Sequence, residues 1–188
     1  GLFDPDRLDN SWHLDQTPNG PWLVLPLEFG PRDEVVEWAD EILSAHRDIP
    51  TILLTHAYLY DDDTRYDIET RPDQRWSPHR YGVADLPGGV NDGEALFQKL
   101  VRRHSQIDFV FCGHVLGDGV GRLTSTQDGG GLVHELLADY QEPFAATGGG
   151  GFLRVVTFHP DRVDVRTYSP VTDTYLQDPD NAFTLVLP

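Results

Sequence analysis

Methionine is absent from the 188 residues, and cysteine and lysine each occur once. A chain with no methionine does not begin at an intact translation start. It is therefore either processed or cut from something longer, and the second is the expectation. The single cysteine, Cys112, excludes an internal disulfide and a cysteine-based zinc site. It lies in an apolar run, where a small buried thiol with no positive neighbour is inert. With Lys99 as the one lysine, the other 13 of the 14 basic residues are arginines, a bias that reflects composition rather than phosphate grips. No stretch reaches the roughly 18 apolar residues of a membrane span, and no signal-peptide pattern opens the chain. A signal already removed leaves the compartment open, export included. Positive charge is scarce: 31 acidic residues give a formal net charge of −17. Such a chain repels a phosphate backbone, so no nucleic-acid partner is expected. The acidity serves surface solubility or draws cations to an acidic site.

What is present has the balance of a soluble globular protein, with 39% hydrophobic and 24% charged residues. "WLVLPLE" (22–28) and "TILLTHAYLY" (51–60) are continuous apolar runs and read as buried strands. Between them Pro31 and the acidic pair Asp33 and Glu34 suit a helix start. Val35, Trp38, Ile42 and Ala45 then recur at spacings of three and four and predict one apolar stripe over 31–47. Strand, helix and strand in this order form a βαβ unit with parallel strands. Residues 60–92 have no helix or strand period and are rich in Pro, Gly, Asp and Arg, yet they carry Tyr66, Trp76 and Tyr81. A long loop with aromatics is an ordered excursion near a site mouth, or a surface loop pinned by those rings. A second helix is predicted over 91–104, capped by Asn91 or Asp92, and a third buried strand over 107–112. Beyond it, "GRLTSTQD", "GLVHELLADYQ", "GFLRVVTFHP", "RVDVRTYSP" and "FTLVLP" are strand-like and predict antiparallel hairpins. The glycine run 148–151 reads as a flexible connection or tight turn. The fold class is α/β: parallel βαβ units in 1–117, with the long loop 60–92, followed by antiparallel strands in 118–188.

His56 and His114 share a setting, since each ends a continuous apolar strand and begins a loop. Ligands of open α/β sheets bind outside the carboxyl ends of parallel strands. Two imidazoles there can converge on one transition-metal ion, zinc, iron, manganese or cobalt rather than magnesium. Gly113 allows a backbone turn beside His114. The alternative for each histidine is a hydrogen-bonded core residue. His13, His46, His79, His104 and His159 fall in helix ends, turns or hairpins, and His134 lies on a later strand. Tyr58 and the loop aromatics either line a substrate mouth or simply pack.

"ILLTHAYL", "FVFCGHVLGDG", "LLADYQ", "GGGGFLRVVTFHP" and "VRTYSP", in this order, resemble the C-terminal half of a calcineurin-like metallophosphoesterase. The likeness runs from Asn10 to the end and is nearest to bacterial phosphoesterases with the same Gly-His loop and a closing Thr-Tyr-Ser-Pro. It implies two β-sheets packed face to face between helices, a four-layer α/β/β/α sandwich with a two-metal site at the strand ends. The family's Asp-x-His, Gly-Asp and Gly-Asn-His motifs belong to the N-terminal half and are not present here. Its strand-end histidine and Gly-His-x-His map onto His56 and Gly113-His114-Val115-Leu116. By that pattern His56 and His114 bind the second of two divalent transition-metal ions, which with its partner activates a hydroxide for in-line attack on phosphorus. Leu116 stands where a ligand to the first metal belongs, and leucine coordinates nothing. Asp118 is the nearest oxygen donor that could substitute, or else a turn residue of Gly-Asp-Gly. The resemblance therefore implies a phosphate-ester hydrolase acting on a small molecule or a protein. This chain would be its C-terminal portion, lacking the N-terminal half of the domain, carrying no catalytic acid and inactive alone. The alternative is a catalytically silent α/β binding module derived from the same family. A third option is a mononuclear His-based hydrolase, with Asp62 or Asp118 as its carboxylate ligand.

Overall fold

The computed structural model describes residues 1–141 and 150–187. Among these residues the strands are β1 (His13–Thr17), β2 (Gly20–Pro26), β3 (Thr51–Leu54), β4 (Ile107–Cys112), β5 (Val120–Thr126), β6 (Leu132–Ala138), β7 (Leu153–Phe158), β8 (Arg162–Ser169), β9 (Thr174–Leu176) and β10 (Ala182–Val186). The helices are α1 (Asp33–Ala45) and α2 (Gly93–Lys99).

The first sheet has the order β1-β2-β3-β4-β6-β5. Its inner strands β2, β3, β4 and β6 run parallel, and β1 and β5 close the edges antiparallel. The second sheet has the order β10-β8-β7, with β9 paired to β8, and is antiparallel throughout. Mixed α/β architecture is thus observed, with one correction. β5 and β6, expected among appended hairpins, belong to the first sheet, and β6 lies parallel to β4. Alternation reports which residues face a core but not which strand lies alongside, so the partner was not legible.

Side-chain alternation divides the first sheet into two faces. Leu23, Leu25, Leu53, Ile107 and Val110 pack against Val35, Ala39 and Leu43 of α1 and Leu96 and Phe97 of α2. Trp22, Ile52, Phe109, Phe111 and Leu136 point the other way and meet Val156, Phe158, Val163, Val165, Phe183 and Leu185 of the second sheet. The layers are helix, sheet, sheet. Each fully buried leucine or phenylalanine contributes about 1.5–3 kcal/mol.

In α1, Asp33 and Glu34 occupy the first turn as expected, but Pro31 precedes the N-cap Arg32 and lies outside the helix. The buried stripe is Val35, Val36, Ala39 and Leu43, whereas Trp38 and Ile42 are only partly buried. The apolar face is therefore rotated from the predicted one. Asp92 caps α2 by accepting from the Ala95 amide at 3.0 Å. Gly93 is needed there, because a Cβ at that position would lie 2.0 Å from the Tyr58 carbonyl oxygen. β1 has no counterpart among the elements expected from the sequence, because all five of its residues are exposed. In the glycine run, Gly148 and Gly149 lie outside the described residues, and Gly150 and Gly151 are left-handed at φ +62° and +64°. Among the described residues no helix is long and apolar enough to cross a membrane.

Candidate functional site

β3 and β4 are adjacent and parallel, so their carboxyl ends emerge side by side. The ladder continues past them: the Thr55 amide donates to the Phe111 carbonyl at 3.1 Å, and the Gly113 amide donates to the His56 carbonyl at 3.0 Å. These two bonds hold His56 and His114 in register, and their ring centroids lie 4.6 Å apart. A shallow cavity of about 370 Å³ at this end is lined by His56 with Pro26, Leu54, Thr55, Phe111 and Cys112. The two histidines singled out from sequence are therefore brought together.

His114 takes φ +74°, a left-handed conformation that costs a β-substituted residue about 1–3 kcal/mol. Gly113 was expected to make the turn, but the histidine itself makes it. Its Nε2 lies 3.0 Å from the Trp76 carbonyl oxygen, and Trp76 is itself left-handed at φ +60°. An Nε2–H donating to that carbonyl leaves Nδ1 as the free lone pair, the outer-partner arrangement of metal-binding histidines. Burial, and then the neighbouring His56, push the His114 pKa down, while the Trp76 carbonyl and Asp139 oppose that shift. The ring is thus neutral at neutral pH, the form that coordinates.

The long loop supplies this support. Residues 78–80 and 82–85 form two 3-10 turns, and Tyr66 is fully buried with its hydroxyl donating to the Arg75 carbonyl at 2.9 Å. Tyr81 packs on His114 at 5.4 Å and on Phe29 at 5.2 Å, and Phe29 contacts both histidine rings at 5.4 and 5.0 Å. The loop is anchored by Arg65, whose Nε donates to Glu135 at 2.6 Å and whose Nη1 donates to Glu94 at 3.0 Å. Glu135 is completely buried on β6. Tyr58 is buried in the same network and lines no mouth.

Asp118 behaves as a turn residue, its carboxylate accepting from the Val120 amide at 3.2 Å. It also faces Asp61, whose pKa rises through burial first and then through Asp118 and Asp62. Asp62 accepts from the backbone and hydroxyl of Thr64. Val115 is buried and Leu116 is partly buried in the loop after His114. Cys112 is an inert thiol, its pKa pushed up to about 12 by burial. His134 does not reach the histidine pair. It is 6% exposed, bonds Thr124 through Nδ1 at 3.0 Å and packs on Phe109, with Nε2 unpartnered.

One residue missed from the sequence is Asp139, just past the end of β6, which runs beside β4. Its negative charge acts on His114. The signal was available, because Asp139 ends the apolar run "LVHELLA" much as His56 and His114 end theirs.

Two imidazoles supply part of the usual three- or four-donor set of a transition-metal ion. Among the described residues no group of three or more His, Cys, Asp or Glu side chains is arranged to hold one. The chain thus offers a partial donor set, and a fuller set would need donors beyond these two.

No protein-family model matches the chain. Uncharacterized protein YvnB of Bacillus subtilis (strain 168) is 28% identical to it over 202 residues, covering 92% of this chain. The chain spans 14% of the length of that curated relative.

Proposed function

We propose that this chain is the C-terminal portion of a metal-dependent phosphoesterase of the calcineurin-like class. The observation that carries the reading is the His56–His114 pair, 4.6 Å between rings, at the carboxyl ends of adjacent parallel strands. In this reading both histidines would hold a divalent transition-metal ion (manganese, iron, zinc or cobalt), His114 through its free Nδ1. Such ions, when bound, polarise phosphoryl oxygens and supply a nucleophilic water at neutral pH. The remaining work is done by the chain itself. The Trp76 carbonyl fixes the tautomer and aim of His114, Phe29 packs on both rings and Tyr81 on that of His114, while His56 stays exposed to solvent. Neither histidine serves as proton donor to the leaving group, so that role falls to the N-terminal half of the domain. The three layers described above would then be part of a four-layer α/β/β/α sandwich, with the fourth layer on the outer face of the second sheet, where Leu153 and Val155 are exposed.

The competing reading, a catalytically silent binding module, draws on Leu116, which leaves the Gly-His-x-His position without a donor. Metal analysis and turnover separate the two. The full-length protein should take up transition metal stoichiometrically and hydrolyse a phosphate ester, and His114→Ala should cut turnover at least a hundredfold with the fold intact. Unchanged turnover in that variant rejects the assignment of roles, and no metal uptake after loading favours the silent module.

A further inference from the structure

We infer that the cleft beside the histidine pair is a subsite for an uncharged, apolar ring-bearing group, the organic part of the substrate. Its substrate role rests on the phosphoesterase reading, whereas its capacity to bind such a group does not. The cleft has a volume of about 590 Å³, within the range of small-molecule sites. It shares a wall with the candidate site, because Phe29 lines it and also packs on both histidine rings. A group bound there lies across that one ring from the imidazoles.

The chemistry of the walls selects the ligand. Val83, Leu86 and Pro87 from the long loop line the cleft together with Phe29, and Leu86 is 51% exposed and so open to a ligand. Both cations in the lining are already neutralised. Arg32 bonds Glu28 at 2.8 Å and Glu34 at 2.6 Å, and Arg7 pairs with Asp9. Two arginines against three carboxylates leave the lining with a net charge of −1, so a fixed anion is disfavoured. The groove of equal volume on the helix side, lined by Asp33, Glu37, Asp40, Lys99 and Arg103, lacks such an apolar wall and any contact with the histidines. The substrate class that follows is a phosphate ester of an apolar alcohol or phenol, whose phosphate lies toward the histidines. A nucleoside polyphosphate does not fit that description.

The test uses the metal-free protein and 1-naphthol, followed by saturation-transfer NMR and titration. Naphthol should bind saturably, at least tenfold more weakly to Leu86→Asp and unchanged to Val171→Asp, which alters a remote exposed valine. The same ring with a fixed charge, 2-naphthalenesulfonate, should bind at least tenfold more weakly than naphthol. Leu86 is half exposed, so its replacement leaves the fold intact, which circular dichroism checks. No saturable naphthol binding, equal binding to Leu86→Asp, or equal binding of the sulfonate overturns the subsite. Metal-loaded full-length protein is then offered 1-naphthyl phosphate. Absence of hydrolysis there, with naphthol binding as expected, removes the phosphoesterase reading and leaves the binding site standing.

Discussion

Strain at single residues marks this molecule most clearly at His114. A histidine at φ +74° persists because the Gly113–His56 ladder bond and the Trp76 carbonyl hold it there. Glycine adopts that conformation without a steric cost, whereas alanine does not. His114→Gly should therefore be more stable than His114→Ala by about 1 kcal/mol, the reverse of the usual order. Urea unfolding of the two variants checks this, and an alanine variant of equal or greater stability would show that the site is not strained. Asp108 is a second anomaly. Ile107 pairs with Thr51 and Phe109 with Ile52, so Asp108 is the extra residue of a β-bulge. Burial raises its carboxyl from its usual value of 3.8 to about 6. A group with a raised folded pKa contributes its stability below the unfolded value and loses it as pH climbs through the folded one. Asp108 thus weakens the protein between pH 4 and 6 and remains a charged liability at pH 7. Asp108→Asn should stabilise by about 1–2 kcal/mol at pH 7, the full shift being reduced because the side chain is partly exposed, and by nothing below its unfolded pKa. A stability gain that does not vary with pH would point to packing instead.

Among the elements, the long loop depends on one buried ion pair. Arg65 leaves the loop, crosses the face of Phe97 at 3.4 Å and meets a fully buried Glu135 on β6. Removing one partner of such a pair strands the other charge, at a cost of about 3–5 kcal/mol. Glu135→Ala should lose that much, and limited proteolysis should then cut within 60–92 before the sheets unfold. Glu135→Ala with Arg65→Met should recover part of the loss, and a double variant as unstable as the simple sum would deny the coupling. Local pattern had legible consequences here and also limits. β2, β3, β4, α1 and α2 were readable because each carries its own period or cap. The convergence of His56 and His114 was readable because both end apolar runs. The Trp76–His114 contact joins residues 38 apart in sequence, and no local signal reports it. β1 escaped because an exposed edge strand has no buried face to write an alternation. Asp118 looked like a metal donor or a turn residue in the sequence, and the Val120 amide shows it serving the turn.

For the whole molecule, charge is the dominant long-range term. The formal net charge of −17 leaves many carboxylates with no basic partner. Exposed pairs such as Lys99–Asp33 and Arg102–Asp128 contribute about 0–1 kcal/mol each, so screening them costs little. Repulsion among the unpaired acids acts over the whole surface, and salt weakens it as the Debye length falls from about 30 Å at 0.01 M to about 8 Å at 0.15 M. The two effects oppose each other, and the excess of acids decides the sign. Raising sodium chloride across that range at pH 7 should lift Tm by a few degrees, about 1 kcal/mol in a chain of this size. The same acidity enriches cations near the histidine loop, where Asp118 acts on Asp61 and Asp139 acts on His114, so divalent ions should give a larger rise than sodium at equal ionic strength. Near pH 4.5, the sequence pI, the net charge vanishes and salt has only the ion pairs left to screen. Its effect on Tm there should be flat or slightly downward. A calorimetric salt series at the two pH values decides the matter, since a rise of equal size at both would mean that ion exclusion, and not relief of self-repulsion, stabilises the fold.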